Sequence, residues 1–247
     1  MGRLIPDMVS LIFVTLVHGL SLLPVVFLGE GIWRSSSLFL RCIALPLLTL
    51  LFLAAYCIVN ALARRALIGR LPSGDFIFGR DWAASRWRFS MIFSVTSGNM
   101  FYSNIHYFTF LKYLFFKTAG ARVAYDNLLA VDAHIHEPDL VEIGVRCVVG
   151  RQAIIAAHLV PRSREQLKLA PVVIGDDCIV GACSLILCGS KIGNGVLVGA
   201  NSTVGVGAEV GDNAVILPNS YVKSRQCIPP GQTWGGTPAR CISEHRT

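Results

Sequence analysis

Branched apolar residues recur at a fixed interval of six residues through the C-terminal part of the chain. Ten successive positions hold Ile or Val: Ile174, Val180, Ile186, Ile192, Val198, Val204, Val210, Ile216, Val222 and Ile228. Gly often follows, and a small residue often stands four positions later. A single six-residue unit cannot bury its branched side chain alone. The interval therefore predicts stacked coils of short strands, since a β-sandwich needs alternation with a period of two.

Two longer apolar runs lie near the N-terminus. Residues 8–29 and 42–63 are each 22 residues without Asp, Glu, Lys or Arg. A helix of about 20 apolar residues crosses the hydrocarbon core of a bilayer. A cleaved signal peptide is the competing interpretation of the first run, but this run exceeds the usual apolar region and a second follows it closely. We expect a two-helix transmembrane hairpin over residues 1–65.

Composition and charge extend this interpretation. The chain is 53% apolar and only 15% charged, which is more apolar than ordinary soluble proteins. Its net charge of +7 comes without a known nucleic-acid-binding motif, so we expect attraction to anionic lipid and no nucleic-acid partner. Basic residues follow the second run, which predicts an inner (cytoplasmic) membrane protein with both termini on the cytoplasmic side. These residues are Arg64, Arg65, Arg70, Arg80, Arg86 and Arg88.

Residues 66–140 fit neither pattern, and we expect them to form an interfacial, amphipathic connection. Trp82, Trp87, Arg86 and Arg88 mix aromatic and basic character, as segments at a membrane surface do. Residues 105–116 are apolar and aromatic, but 12 residues are too few to span a bilayer. They predict a buried or membrane-surface helix that ends near Gly120.

The six-residue interval breaks between Ile155 and Ile174. It begins upstream at Ile143 and Val149, and the step of 19 residues is one ordinary six plus 13 more. The extra residues begin near His158. Loops that leave a repetitive scaffold often carry functional residues. An imidazole titrates near neutrality and can remove the proton of a hydroxyl or amine, so His158 is a candidate general base, with an incidental loop histidine as the alternative.

The chain resembles the hexapeptide-repeat acyltransferases over residues 141–242, in the run VVIGDDCIVGACSLILCGSKIGNGVLVGANSTVGVGAEVGDNAVILPNSYV and the ending IPPGQTWGGTPARCI. The resemblance implies a mainly β fold: a left-handed parallel β-helix of triangular coils, here preceded by the transmembrane hairpin. It also implies a homotrimer and an acyl thioester such as acetyl-CoA as co-substrate, with no permanently bound cofactor. Similar acetyltransferases place the catalytic histidine at the start of such a loop, shortly before a Pro-[Val/Ile]-x-Ile-Gly restart. The restart here is at 171–175, which again indicates His158.

The same resemblance assigns a donor site by position. In the family, coenzyme A lies in the groove between neighbouring β-helices, and Gly-Ala turns follow its pantetheine arm. The corresponding residues here are Gly181, Ala182, Gly199, Ala200, Trp234, Gly236, Pro238 and Arg240. Arg240 suits a phosphate as a charge-assisted donor, with Lys223 and Arg225 as alternative phosphate contacts or ordinary solvated charges. Trp234 either stacks on adenine or caps the last coil.

Asp132, His134 and His136 form a second polar group. Both histidines of a strand's His-x-His pair face one side, so a metal site is conceivable. No third ligand is fixed by spacing, and we predict no metal. Residues that lead into the first coil often line the acceptor site in the family. We therefore consider acceptor binding and a structural polar edge as alternatives for these three residues.

The order of hairpin, aromatic connection and β-helix resembles one unit of the membrane-embedded C-terminal region of ε-poly-lysine synthetases.

We predict a membrane-anchored acyltransferase that moves an acyl group, in the first place acetyl, from a CoA thioester to a hydroxyl or amine. Its active sites would lie at the interfaces of a trimer. The catalytic domain would span residues 141–242, followed by a tail at 243–247. One alternative is an amide-forming enzyme that takes aminoacyl thioesters from a carrier protein. The other is a non-catalytic β-helix scaffold.

Overall fold

A computed structural model describes residues 4–35, 37–91, 108–163 and 165–244 of the chain. The fold divides into two compact units: Met1–Gly69 with Ser90–Thr118, and Arg70–Phe89 with Ala119–Thr247. The helices are α1 (Leu4–Ser35), α2 (Leu38–Leu67), α3 (82–91) and α4 (Thr109–Ala119).

Helices α1 and α2 form the first unit together with α4, and both are long and apolar enough to cross a membrane. Val17 of α1 packs in one buried cluster with Leu53 and Tyr56 of α2 and with Leu111 of α4. Apolar side chains also cover the outer faces of the long helices; Phe27, for example, is 82% exposed. A helix that is apolar all round is typical of a lipid environment. The structure thus contains the two apolar helices that the sequence predicts.

Helix α4 corresponds to the apolar segment predicted over residues 105–116. It occupies Thr109–Ala119 and buries Leu111 and Phe116 to 1% exposure or less. Gly120 follows at φ +100°, a conformation that favours Gly and ends the helix there. Residues 105–107 lie outside the described residues.

The second unit is a parallel β-helix with three flat sides. The first side contains β2 (Arg122–Val123), β5 (Val141–Ile143), β10 (Val172–Ile174), β13 (Lys191–Ile192), β16 (Glu209–Val210) and β19 (Cys227–Ile228). The second contains β3 (Leu128–Leu129), β6 (Val148–Val149), β11 (Ile179–Val180), β14 (Leu197–Val198), β17 (Val215–Ile216) and β20 (Gln232–Gly235), with β21 (Arg240–Glu244) antiparallel at its end. The third contains β4 (His134–His136), β7 (Ile154–Ala156), β12 (Leu185–Ile186), β15 (Thr203–Val204) and β18 (Tyr221–Val222).

The interior of the β-helix is a column of the repeated Ile and Val side chains. Each of the ten from Ile174 to Ile228 is at most 3% exposed. The parallel register stacks each on its counterpart one coil away, as Ile174 pairs with Ile192 and Val180 with Val198. Stacking buries side chains that a lone coil would leave in water. The predicted fold class, a β-helix after two apolar helices, is confirmed.

Parallel pairing begins at Arg122, 19 residues before the boundary of 141 that the sequence predicts. The first coil also keeps the interval of six, with Val123, Leu129 and Ile135 at its inward positions. The next inward residue, Ile143, comes eight positions after Ile135. The interval therefore contains a second, smaller break of two residues, which the sequence analysis missed because Leu129 interrupts the run of Ile and Val.

The larger break forms a β-hairpin. Its strands, β8 (His158–Leu159) and β9 (Gln166–Leu169), pair antiparallel, and β1 (Gly74–Ile77) adds to the outer edge of β9. The connecting region, expected to be interfacial, thus supplies a strand to the extension of the β-helix.

Candidate active site

At both breaks in the interval of six, the chain leaves the β-helix at the same edge. Strands β4 and β7 are neighbours on the third side, with Ile135 opposite Ile155. The chain that leaves β4 turns through Glu137 into a short 3-10 helix (Pro138–Leu140), and the chain that leaves β7 continues to His158. Because the strands are in register, the residues that follow them lie side by side. This pairing brings Glu137 next to His158.

Glu137 and His158 form a hydrogen-bonded pair. Oε2 of Glu137 lies 2.9 Å from Nδ1 of His158, and the side chains are 1% and 23% exposed, respectively. An imidazole nitrogen beside a carboxylate carries the proton and donates it, which leaves Nε2 of His158 with its lone pair. The sequence analysis did not single out Glu137.

Two further donors satisfy the Glu137 carboxylate. The backbone N–H of Ala157 donates to Oε2 at 3.2 Å, and the indole Nε1–H of Trp87 donates to Oε1 at 2.9 Å. A carboxylate buried this deeply needs such partners, because it has lost its contact with water. The hydrogen bonds from Ala157, Trp87 and His158 thus fix both oxygens of the carboxylate. The backbone of Glu137 has φ 51°, a left-handed conformation that is uncommon outside Gly.

Aromatic rings surround the imidazole of His158. The Trp87 ring centroid lies 5.1 Å away, and Phe78 lies 6.0 Å beyond Trp87. His136 lies 5.8 Å from His158, with His134 a further 6.4 Å from His136. Trp87, which the sequence analysis assigned to a membrane interface, thus contacts the candidate base.

Burial lowers the pKa of His136 below its ordinary value. Glu137 opposes this by favouring the imidazolium, while His158 and His134 lower the pKa further. His136 is therefore neutral near pH 7. It gives His158 a neutral polar neighbour rather than a competing positive charge.

The ligand atoms of His136, Glu137 and His158 lie within 4.8 Å of one another, a spacing that suits a metal ion. A metal ion bound by Glu137 would compete with the hydrogen bonds that its carboxylate accepts. Both oxygens of Glu137 already accept hydrogen bonds, which favours the hydrogen-bonded pair. That no metal binds here stays a prediction.

The other predicted acceptor residues lie near this edge. His134 and His136 project from the outer face of β4, on either side of the inward-facing Ile135. Asp132, just before β4, accepts a hydrogen bond from Arg151 at 3.2 Å. The structure therefore groups His136 with Glu137 and His158 and places His134 and Asp132 farther out along the same coil.

The predicted donor residues lie at a different edge of the β-helix. Gly181, Ala182, Gly199 and Ala200 follow strands β11 and β14 of the second side, whereas His158 follows the third side. In one chain, the structure does not bring these turns together with His158. Trp234 lies opposite Ile216 in the last coil and donates from Nε1 to Gln232 Oε1 at 2.8 Å.

The closing segment folds back on the last coil. The backbone N–H of Gly236 donates to Ser220 Oγ at 3.1 Å, and Ala239 N–H donates to the carbonyl of Tyr221 at 2.7 Å. Pro238 and Arg240 are exposed next to these anchors. The segment thus presents an exposed guanidinium on a backbone that is held in place.

Stacking alone explains the glycines of the predicted donor turns. A Cβ on Gly181 would lie 2.4 Å from the backbone nitrogen of Ala200, and one on Gly199 would lie 2.3 Å from the nitrogen of Pro218. Successive coils therefore approach too closely at these two positions for any side chain. These glycines are required by the fold whether or not a ligand lies against them.

Comparison with protein-family models matches residues 189–224 to the bacterial transferase hexapeptide (six repeats). No curated protein matches the chain. A hexapeptide-repeat-containing acetyltransferase from Vibrio cholerae is 19% identical over 55% of this chain and 80% of its own, with a TM-score of 0.47. The perosamine N-acetyltransferase from Caulobacter crescentus, in a mutant complex with CoA and GDP-perosamine, is 22% identical over 48% of this chain and 54% of its own, with a TM-score of 0.29.

An acetyl-CoA complex of the Vibrio cholerae acetyltransferase is 16% identical over 77% of this chain and 88% of its own, with a TM-score of 0.37. The ε-poly-lysine synthetases are not among the proteins named by these comparisons. The matched repeat agrees with the coils, whose inward positions continue the same interval of six on both sides of residues 189–224. Over residues 189–224 the chain is therefore similar to the bacterial transferase hexapeptide repeat, and the coils of its β-helix agree with that match.

Proposed function

We propose that this protein is an acyltransferase that moves an acyl group from a CoA thioester to a hydroxyl or amine, with His158 as the general base. The observation that carries the proposal is the buried Glu137 carboxylate, 2.9 Å from Nδ1 of His158. A carboxylate in this position holds the tautomer in which Nε2 can accept a proton.

In the proposed reaction, the acceptor's oxygen or nitrogen attacks the thioester carbonyl while Nε2 of His158 takes its proton. The imidazolium that forms is stabilised by the ionised carboxylate of Glu137. Collapse of the tetrahedral intermediate breaks the carbon–sulfur bond, and the proton on Nε2 passes to the departing thiolate. The reaction yields the acylated acceptor and free coenzyme A, and His158 returns to its neutral form.

A complete site of this kind calls for more than one copy of the chain. The proposed donor turns at Gly181 and Gly199 and the base at His158 lie on two different edges of one β-helix. A neighbouring copy that packs against the His158 edge would bring its own donor edge opposite the base. We therefore propose a homotrimer with the acyl donor between subunits and Arg240 at the phosphate end of coenzyme A.

We further propose that α1 and α2 anchor the enzyme in the inner membrane, with the β-helix on the cytoplasmic side. Large apolar side chains on these helices, such as Phe27 and Leu38, are 82% and 74% exposed and need an apolar surrounding. The acceptor would then reach the site from the membrane surface, as a lipid, a lipid-linked sugar or an amine.

The alternatives predict different donors or none. An enzyme that takes aminoacyl groups from a carrier protein would use the same base but a protein-bound thioester. A non-catalytic scaffold needs no buried carboxylate beside an imidazole, so the pair of Glu137 and His158 favours catalysis over that alternative.

The experiment uses the full-length protein in lipid nanodiscs with radiolabelled acetyl-CoA and a panel of amines, hydroxylated sugars and membrane lipids. Released coenzyme A is measured by chromatography, because the eight free cysteines would react with thiol reagents. We expect transfer to one acceptor class by the wild type, and a loss of about 10²-fold or more in His158→Ala. A His158→Ala variant with the wild-type rate would overturn the proposal.

A further inference from the structure

We propose that Trp87 is a positioning residue for the catalytic pair. Its indole N–H fixes the Glu137 carboxylate from the side opposite His158, so that the segment following the second apolar helix becomes part of the active site. The inference rests on the proposed function, because it assigns Trp87 a role in the same reaction.

Trp87 contacts both members of the pair. Its Nε1–H donates to Oε1 of Glu137 at 2.9 Å, while Oε2 of the same carboxylate accepts from His158. The two oxygens are thus held from opposite ends, which prevents rotation of the carboxylate. The indole ring also lies 5.1 Å from the imidazole and restrains it directly.

The segment that carries Trp87 is held in place by several independent contacts. Phe76 of β1 lies opposite Leu167 of the hairpin, so this segment continues the sheet that begins at His158. The backbone N–H of Leu71 donates at 2.8 Å to the buried side chain of Asp139, two residues after Glu137. Ala84, one turn before Trp87 on α3, is fully buried. The segment is therefore anchored on both sides of β1.

Removal of the indole N–H has two consequences for the reaction. Oε1 of Glu137 is left buried without this donor, and the carboxylate can turn away from His158. The base is then less well oriented, so kcat falls while acetyl-CoA binding is unaffected.

Other charged and titratable groups also surround this pair. His136 faces His158 from β4, with His134 beyond it. The charges of Lys168 and Asp75 in the β1–β9 sheet, and the charge of Glu137, also act on the thiol of Cys188 in the next coil. These groups are retained in the variants below, so a difference in kcat between variants reports on residue 87.

The test compares Trp87→Phe, which keeps an aromatic ring but removes the N–H, with Trp82→Phe on the same helix. Trp82 is 69% exposed and serves as the matched control. In full-length protein we expect Trp87→Phe to lower kcat about 10-fold with KM for acetyl-CoA unchanged. Trp82→Phe should match the wild type.

A second variant separates the N–H from the packing of the ring. Trp87→His keeps a ring N–H in a smaller side chain and should recover most of the kcat that Trp87→Phe loses. This variant also provides the answer if Trp87→Phe does not fold. A folded Trp87→His protein with kcat at least 10-fold below the wild type would overturn the role of the N–H.

The outcomes for the two proposals are distinct. A folded Trp87→Phe enzyme with wild-type kcat overturns the positioning role, while an inactive His158→Ala leaves the proposed function intact. If His158→Ala is fully active, the proposed function fails whatever Trp87 does. Thermal melting of each variant separates loss of fold from loss of orientation.

Discussion

Nδ1 of His158 lies 2.9 Å from Oε2 of Glu137, although the two residues are 21 positions apart in the chain. They meet because each follows a strand of the third side in successive coils, with Ile135 and Ile155 in register. Each also stands at one of the two breaks in the interval of six. The proposed base and its carboxylate partner therefore lie together at one edge of an otherwise regular scaffold.

Replacement of Glu137 by Gln should impair catalysis more than binding. The neutral amide no longer stabilises the imidazolium, and its NH2 group can point toward Nδ1 and select the wrong tautomer. We expect kcat to fall about 10²-fold with little change in KM for acetyl-CoA. Steady-state kinetics check this, with Glu142→Gln as the control, because Glu142 is an exposed carboxylate in an ion pair with Arg122. Equal activity of both variants would contradict the role of Glu137.

His136 should make the fold less stable in mild acid. Burial lowers its pKa, so the folded protein binds this proton less readily than the unfolded chain does. The resulting loss of stability is absent well above the ordinary pKa of about 6.5 and develops as pH falls below it. We expect the drop in melting temperature from pH 8 to 5.5 to be smaller in His136→Asn than in the wild type. An identical drop in both proteins would rule out this contribution.

Gly181→Ala should destabilise the β-helix even without any ligand. The added Cβ would meet the backbone of Ala200 at 2.4 Å, and neither backbone can move without disturbing the stacked coils. We expect a loss of about 1–3 kcal/mol in the free energy of unfolding. Ile179→Ala, at a 45% exposed position of the preceding strand, is the comparison and should cost less. Unchanged melting of Gly181→Ala would show that the coils can separate at this edge.

Subunit mixing tests whether one site draws on two chains. His158→Ala removes the proposed base, and Arg240→Ala removes the proposed phosphate contact at a different edge. Each variant alone should be impaired, the second through a higher KM for acetyl-CoA. Co-expressed with separate tags and purified as mixed assemblies, the two should regain activity, because some interfaces combine an intact base with an intact donor edge. Mixed assemblies with only the sum of the separate activities would contradict a shared site.

The sequence is sufficient to predict the scaffold and one half of the pair. An interval of six held by Ile and Val from Ile174 to Ile228 has few structural interpretations, and its large break pointed to His158. The first coil was missed for two reasons: Leu129 stands where the other coils have Ile or Val, and Ile143 follows Ile135 after eight residues instead of six. Glu137 stands within that step and went unrecognised with it.

Trp87 could not be assigned to the site from its local sequence. Its neighbours Arg86 and Arg88 gave the segment the aromatic and basic character of a membrane interface. The contact with Glu137 spans 50 positions and depends on the pairing of β1 with β9. No periodic signal accompanies a single strand that joins a sheet from a distant part of the chain.

The most direct test of the account is acetyl transfer by His158→Ala with and without added imidazole. The full-length variant in nanodiscs is supplied with radiolabelled acetyl-CoA and the acceptor found for the wild type. We predict transfer at least about 10²-fold slower than wild type, with partial recovery as imidazole enters the space left by the side chain. Wild-type transfer by His158→Ala without imidazole would contradict general-base catalysis by this residue.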